Sequence, residues 1–141
     1  MVVSGGFDYC HVGHLRMMKE AKKLGDKLVV VLNNDNWLMK KKGYVFMKQE
    51  DRKELLESLK FVDEVVLTKH RKNCTDMSIC SELREIYPQV YANGGDRHRE
   101  NIPEFKLCVK LGINMFFNVG GGKIRSSSDM IRECFGEKNV R

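Results

Sequence analysis

The chain has 141 residues, of which 42% are hydrophobic and 31% are charged, and its formal net charge is +6. This length supports one domain with its own hydrophobic core, so we expect a single domain over residues 1–141. No apolar run is long enough to cross a membrane, and Met1 does not open a secretion signal, so we expect neither a membrane protein nor a secreted one. The basic charge suits nucleic acid and polyphosphate substrates equally well.

The five cysteines form no CxxC pair and show no regular spacing: they are Cys10, Cys74, Cys80, Cys108 and Cys134. An odd, scattered set is typical of reduced thiols rather than of a disulfide framework. The cysteines therefore favour a cytoplasmic protein.

Apolar runs and helical patterns alternate from one end of the chain to the other. In chain order we predict strand 1–3, helix 15–24, strand 27–32, helix 49–59, strand 65–67, helix 77–87, strand 90–92, helix 103–111, strand 113–118 and a final helix that begins near Asp129. Five strands separated by helices predict an α/β fold, a Rossmann-like, doubly wound, five-stranded parallel sheet with helices on both faces.

Three loops that contain glycine follow the first, fourth and fifth predicted strands, at residues 5–14, 93–96 and 120–128. The carboxyl ends of parallel strands meet at one edge of the sheet, and ligands of such sheets bind there. The sequence therefore predicts a single ligand site at this edge.

The first loop reads GGFDYCHVGH and carries two histidines, His11 and His14, where the next helix begins. Residues three apart on a helix lie on one face, so both imidazoles can reach one ligand. Gly13, between them, removes a side chain that would keep a phosphate from the backbone. Backbone N–H groups at a helix start bind phosphate, and imidazoles can donate hydrogen bonds to oxygens that gain charge in a transition state.

Zinc is the alternative ligand of this loop, because Cys10, His11 and His14 are residue types that bind it. Cys10 and His11 are adjacent and cannot easily point at one ion, and no second pair has suitable spacing. We therefore expect no protein-bound metal here.

GGFDYCHVGH resembles the GxFDxxHxGH signature of the nucleotidyltransferases that include glycerol-3-phosphate cytidylyltransferase and the heptose-phosphate adenylyltransferases. The resemblance continues through AKKLGDKLVVVLNND, EDRKELLESLKFVDEV, the NGGD loop and SSSDMI, so it covers nearly the whole chain. The class I aminoacyl-tRNA synthetases share HxGH, but this chain has no room for their tRNA-binding parts.

The resemblance implies transfer of a nucleotidyl group. A substrate phosphate attacks the α-phosphorus of a nucleoside triphosphate, and pyrophosphate leaves. His11 and His14 would bind triphosphate oxygens and the transition state. Gly6 and Phe7 would line the nucleotide with their backbone, and Asp8 would order the loop by capping its turn.

The resemblance also implies cationic residues around the phosphates. Among Lys40, Lys41 and Lys42, the family pattern favours Lys42 as the lysine that reaches the triphosphate, with a solvated mobile loop as the alternative. Arg52 would face the acceptor phosphate, or would otherwise be an ordinary surface arginine. Lys60 stands where a second arginine is common.

The NGGD loop places Gly94 and Gly95 where the backbone can approach a base or ribose, and Asp96 can accept from an amine or hydroxyl. A tight turn closed by Asp96 is the alternative.

In the last loop, Ser126, Ser127 and Ser128 suit either a helix cap or the β- and γ-phosphates. The family often has an arginine several residues ahead of such serines, where this chain has glycine. Its cations there are Lys123 and Arg125, and we expect Arg125 to make the cationic contact.

We expect Mg²⁺ to accompany the triphosphate, held by phosphates and water. CTP is the preferred donor, which makes the transferred group CMP, and ATP is the alternative. Glycerol phosphate, a sugar phosphate, a choline-like phosphate and FMN remain open as acceptors.

A non-catalytic nucleotide- or RNA-binding module is the alternative from another class, although RNA-stacking aromatics are missing. Relatives are commonly homodimers, and residues 108–111 and Trp37 are candidate contacts.

Overall fold

A computed structural model describes residues 1–95, 102–121 and 127–135. The strands are β1 (Val2–Gly5), β2 (Val29–Leu32), β3 (Glu64–Leu67), β4 (Val90–Ala92) and β5 (Asn114–Phe116). The helices are α1 (Val12–Lys22), α2 (Asp35–Lys42), α3 (Gln49–Glu57), α4 (Cys80–Ile86), α5 (Phe105–Leu111) and α6 (Ser127–Phe135).

The five strands form one parallel sheet in the order β3-β2-β1-β4-β5. The chain runs outward from β1 in one direction and then returns to start again at β4, so the strand order reverses between β1 and β4. This confirms the doubly wound sheet and puts the loop after β1 at the position where such sheets bind ligands.

Side chains alternate between the two faces of the sheet because successive residues of a strand point in opposite directions. Val3 and Val30 pack with α1 and with Leu56 of α3 on one face. Val2 and Val31 pack on the other face with residues of α4 and α5. Helices therefore cover both faces, as predicted.

Apart from shifts of a few residues at other element ends, the structure adds one helix that was not predicted and moves the start of another. Helix α2 was not predicted, because its sequence DNWLMKKK has no apolar periodicity. Its ends are set by two other residues: the Asn34 side chain accepts from the Trp37 N–H at the start, and Gly43, in the left-handed conformation, ends the helix. Helix α4 begins at Cys80 rather than at residue 77, because Asp76 accepts from the N–H and hydroxyl of Ser78 and holds a turn there.

The expected dimer contacts differ in exposure. Cys108 is fully buried, and the Trp37 indole donates to the Met77 carbonyl at 2.8 Å, whereas Val109 is exposed. The homodimer stays a prediction. Among the described residues, no helix is both long and apolar enough to span a membrane.

Gly120 holds the last loop against α1. Its φ is +83°, and a Cβ there would lie 2.8 Å from the Met17 Cα, which is backbone and cannot rotate away. Gly121 has a similar φ of +85°, but a Cβ there would have no neighbour within 4 Å.

Gly121→Ala is expected to lower the free energy of unfolding by about 1–2 kcal/mol, the cost of a left-handed backbone with a side chain. Gly120→Ala is expected to cost about 1–3 kcal/mol more, because the helix must also move. Urea unfolding of the two variants checks this, and equal losses would contradict the packing of Gly120 on α1.

Candidate active site

The two histidines of the first loop are fixed by reciprocal hydrogen bonds at the start of α1. His11 is the N-cap residue, and its Nδ1 accepts from the Gly13 N–H at 3.1 Å. The Nδ1 of His14 accepts from the His11 N–H, also at 3.1 Å. This is a capping box in which both capping side chains are imidazoles.

These bonds assign the tautomer of both rings. A nitrogen that accepts an N–H carries no hydrogen, so each neutral imidazole carries its hydrogen on Nε2. The two rings stack with centroids 3.8 Å apart, and the edge of Phe7 supports His14 at 4.9 Å. The loop therefore holds two parallel imidazoles that are both set to donate from Nε2.

Two glycines of this loop stand where a side chain would collide with a neighbouring residue. A Cβ on Gly13 would lie 2.9 Å from the His11 Cε1, inside the ring's space. A Cβ on Gly6 would lie 2.9 Å from the Leu38 Cδ2, so Gly6 lets α2 approach the loop. Phe7 is 5% exposed and belongs to the core, so only its backbone is placed to line a nucleotide.

Asp8 orders a different loop from the one predicted. Its two carboxylate oxygens accept from the Phe46 and Met47 N–H groups at 2.7 Å each, and its side chain is buried. Asp8 does not cap its own turn. It fastens the connection between α2 and α3 onto the histidine loop.

Arg52 lies inside the protein, which contradicts the surface-arginine alternative, whereas its contact with an acceptor phosphate stays a prediction. Its side chain is 0% exposed. Its guanidinium donates to three carbonyls and pairs with one carboxylate: Gly6 O at 2.7 Å, Asn33 O at 2.7 Å, Met47 O at 2.9 Å and Asp35 Oδ1 at 2.7 Å. A contact with an acceptor phosphate would require the fully covered guanidinium to become accessible. In this structure it joins the loops after β1 and β2 to the segment before α3.

The lysines at 40–42 form the last turn of α2 rather than a mobile loop, and Gly43 ends the helix. Cations there stabilise the carbonyl end of the helix. Lys40 and Lys41 are exposed, and Lys42 is half-buried. The contact of Lys42 with a triphosphate stays a prediction.

The described serines of the last loop bind other loops. Ser127 donates to the Tyr9 carbonyl at 2.7 Å, and the Ser128 hydroxyl lies 3.4 Å from that of Tyr44. The bond from Ser127 brings the start of α6 to the histidine loop, and Tyr44 lies in the connection between α2 and α3. The contact of these serines with phosphates stays a prediction. Ser126 and Arg125 lie outside the described residues.

Gly94 and Gly95 follow β4 at the same edge of the sheet, and a Cβ on Gly94 would only touch Met17, at 3.6 Å. Asp96 lies outside the described residues. Lys60 is not brought to the site, because it precedes the amino end of β3 and therefore lies at the opposite edge.

The sequence reasoning missed two asparagines at this edge. Asn33 follows β2 and Asn93 follows β4, both are buried, and the Oδ1 of each has no hydrogen-bond partner among the described residues. An asparagine directly after a buried strand was the available signal, as in the NND and NGGD sequences.

The described residues do not support the zinc alternative. They contain no group of three or more histidine, cysteine, aspartate or glutamate side chains that could hold a metal. Burial raises the pKa of the Cys10 thiol to about 11, which disfavours the thiolate that a metal needs. Mg²⁺ that accompanies the triphosphate stays a prediction.

The comparisons with known proteins agree with this geometry. The cytidylyltransferase-like family model matches residues 2–134. A FAD synthase of Pyrococcus horikoshii is 37% identical over 116 residues, covering 82% of this chain and 75% of that protein. A FAD synthase of Picrophilus torridus is 30% identical over 135 residues, covering 94% and 93%.

A solved structure of another protein has a similar fold. The lipopolysaccharide core biosynthesis protein of Thermoplasma volcanium has a TM-score of 0.64 and 30% identity, over 82% of this chain and 90% of that one. Since the family model spans most of the chain, this protein belongs to the cytidylyltransferase-like family and is a nucleotidyltransferase.

Proposed function

We propose that the protein transfers AMP from ATP to FMN, forming FAD and releasing pyrophosphate. The relatives named FAD synthase support this choice, and one of them matches along nearly its whole length. They support the ATP and FMN alternative of the sequence analysis better than its preference for CTP.

The stacked imidazoles carry the mechanism. A phosphate oxygen of FMN attacks the α-phosphorus of ATP, a new P–O bond forms, and the bond to pyrophosphate breaks. Negative charge grows on the phosphate oxygens during this step. His11 and His14 donate to these oxygens from Nε2, and the N-terminal end of α1 adds its positive potential.

The chain itself needs to form no covalent intermediate and to move no proton. The FMN phosphate is largely a dianion at neutral pH and attacks as it stands, and pyrophosphate leaves with the electron pair of the broken bond. Positioning is therefore the main task of the protein. Arg52, Asp8 and Ser127 contribute by fastening the surrounding loops to the loop that carries the histidines.

The test is a pyrophosphate-release assay with Mg²⁺ that crosses ATP, CTP, GTP and UTP with FMN, glycerol 3-phosphate and sugar phosphates. We expect FAD and pyrophosphate in equal amounts from ATP and FMN. Turnover of CTP with another phosphate ester, and none with FMN, would overturn the proposed substrates but keep the reaction class. Nucleic-acid binding that falls steeply with salt, without any turnover, would instead favour a non-catalytic module.

A further inference from the structure

Three aromatic side chains form a connected group beside the histidine loop: Tyr9, Phe46 and Phe135. The rings of Tyr9 and Phe46 have centroids 5.8 Å apart, and those of Phe46 and Phe135 have centroids 6.4 Å apart. Phe46 is 48% exposed and Phe135 is 57% exposed. Single exposed apolar side chains are common, whereas several exposed rings in one place are typical of a binding surface. We call these three residues the aromatic platform.

The platform is continuous with the candidate active site along the protein surface. Tyr9 belongs to the histidine loop, and residues 9–14 of that loop are all partly or fully exposed. Helix α6, which ends at Phe135, is held against the same loop: Ser127 donates to the Tyr9 carbonyl, and the Tyr9 hydroxyl donates to the Met130 Sδ at 3.3 Å. A ligand whose phosphate lies at the histidines can therefore extend over the surface to the platform.

The backbone around Phe46 is fixed from inside the protein. The Phe46 and Met47 N–H groups donate to the two oxygens of Asp8, and the Arg52 Nε donates to the Met47 carbonyl. Asp8 and Arg52 are both buried. Two buried charged groups thus hold a segment whose phenylalanine ring stays exposed. A ring that is held in place before the ligand arrives loses little freedom when the ligand binds.

The chemistry of the platform selects a planar ring. An exposed aromatic side chain binds the flat face of another aromatic ring by stacking, and stacking is tolerant of the groups at the edge of that ring. The platform contains only aromatic side chains and no charged one, so it complements an uncharged ring system rather than a phosphate. Glycerol phosphate and the sugar phosphates bring no such ring.

The position of Phe46 favours the ring of the acceptor over the base of the nucleotide. Arg52 joins the segment that contains Phe46 to the carbonyls of the loops after β1 and β2. Gly94 and Gly95, which are predicted to approach the base or ribose, follow β4. Because β2 and β4 lie on opposite sides of β1, these two regions flank the histidine loop from opposite sides.

We propose that the aromatic platform selects acceptors that carry a planar aromatic ring, and that Phe46 determines this specificity by stacking on the ring. The inference rests on the proposed function, because FMN is the acceptor of that reaction. It adds that the ring is recognised by its face and not by hydrogen bonds at its edge. An analogue with an altered edge, such as 5-deaza-FMN, should therefore be adenylylated as well.

The test compares Phe46→Ala with wild type by calorimetry with three ligands: FMN, ATP and ribitol 5-phosphate, which is FMN without its ring. FMN is expected to bind about 5- to 100-fold more weakly to the variant, the usual loss when one stacking side chain is removed. The affinities for ATP and ribitol 5-phosphate should not change. The melting temperature should stay near that of wild type, because half of the ring is already exposed.

Two further variants are the controls. Phe46→Trp keeps an aromatic ring and should bind FMN at least as tightly as wild type. Phe116→Ala removes a phenylalanine of β5 that is 43% exposed and lies outside the platform, so it should bind FMN as wild type does.

The outcomes separate the two proposals. Wild-type FMN affinity in Phe46→Ala, with FAD still formed, would overturn the role of the platform and leave the proposed function standing. Weaker ATP binding with unchanged FMN binding would also overturn it, because the platform would then hold the base. A wild-type protein that neither binds nor adenylylates FMN would overturn both proposals.

Discussion

A His14→Ala variant is expected to release pyrophosphate about 10²–10³ times more slowly than wild type, the usual cost of one lost donor to a transition-state oxygen. The variant loses the Nε2–H that the bond from the His11 N–H sets up. It also leaves the stacked His11 ring without its partner. Steady-state pyrophosphate release and single-turnover rates with ATP and FMN check this.

Two conservative variants separate the two nitrogens of His14. His14→Asn keeps an acceptor near the Nδ1 position, so we expect a nearly unchanged melting temperature but a rate as slow as that of His14→Ala. His14→Gln can place an amide donor near the Nε2 position, so we expect partial recovery of the rate. Equal rates for wild type and His14→Ala would show that the imidazole takes no part in the chemistry.

An Arg52→Ala variant is expected to lower the free energy of unfolding by about 3–5 kcal/mol, because each shielded acceptor that loses its donor costs roughly 1–3 kcal/mol. The variant leaves the Asp35 carboxylate and three carbonyls without their donor. Arg52→Lys should recover little, because one ammonium cannot reproduce the fork that joins three segments. Urea unfolding measures both variants.

The control is Lys60→Ala, at an exposed position three residues after the end of α3, where a surface substitution should change the free energy of unfolding by less than about 0.5 kcal/mol. Direct binding of the acceptor phosphate by Arg52 predicts something different. In that case Arg52→Ala would keep its stability and raise only the KM for the acceptor. That result would restore the role that the family resemblance implies.

The sequence was most informative where a signal is local. The GGFDYCHVGH loop was predictable because the hydrogen bonds that fix its histidines are local: His11, Gly13 and His14 bond to one another within four residues. The five strands were also predictable, since short apolar runs between helical segments are local patterns. The fold class follows from the alternation of strands and helices along the chain. The same alternation predicts the edge of the sheet at which the site lies.

The sequence was least informative about residues whose environment depends on partners far away along the chain. Helix α2 depends on a cap and on packing rather than on periodicity, so DNWLMKKK resembles a solvated loop. Asp8 looks like a turn residue, because its partners at Phe46 and Met47 are 38 and 39 positions away. Glu82 looks like any helix glutamate until its burial is known.

The sequence by itself therefore determined the class of protein, the order of its elements and the position of the histidine pair at the start of α1. Only the tertiary structure decided that Arg52 lies inside the protein, that Lys60 lies at the far edge of the sheet and that Glu82 is buried. The physical reason is the range of the forces involved. Helix caps and side-chain alternation act between near neighbours, whereas the environment of a charge is set by segments that meet only when the chain folds.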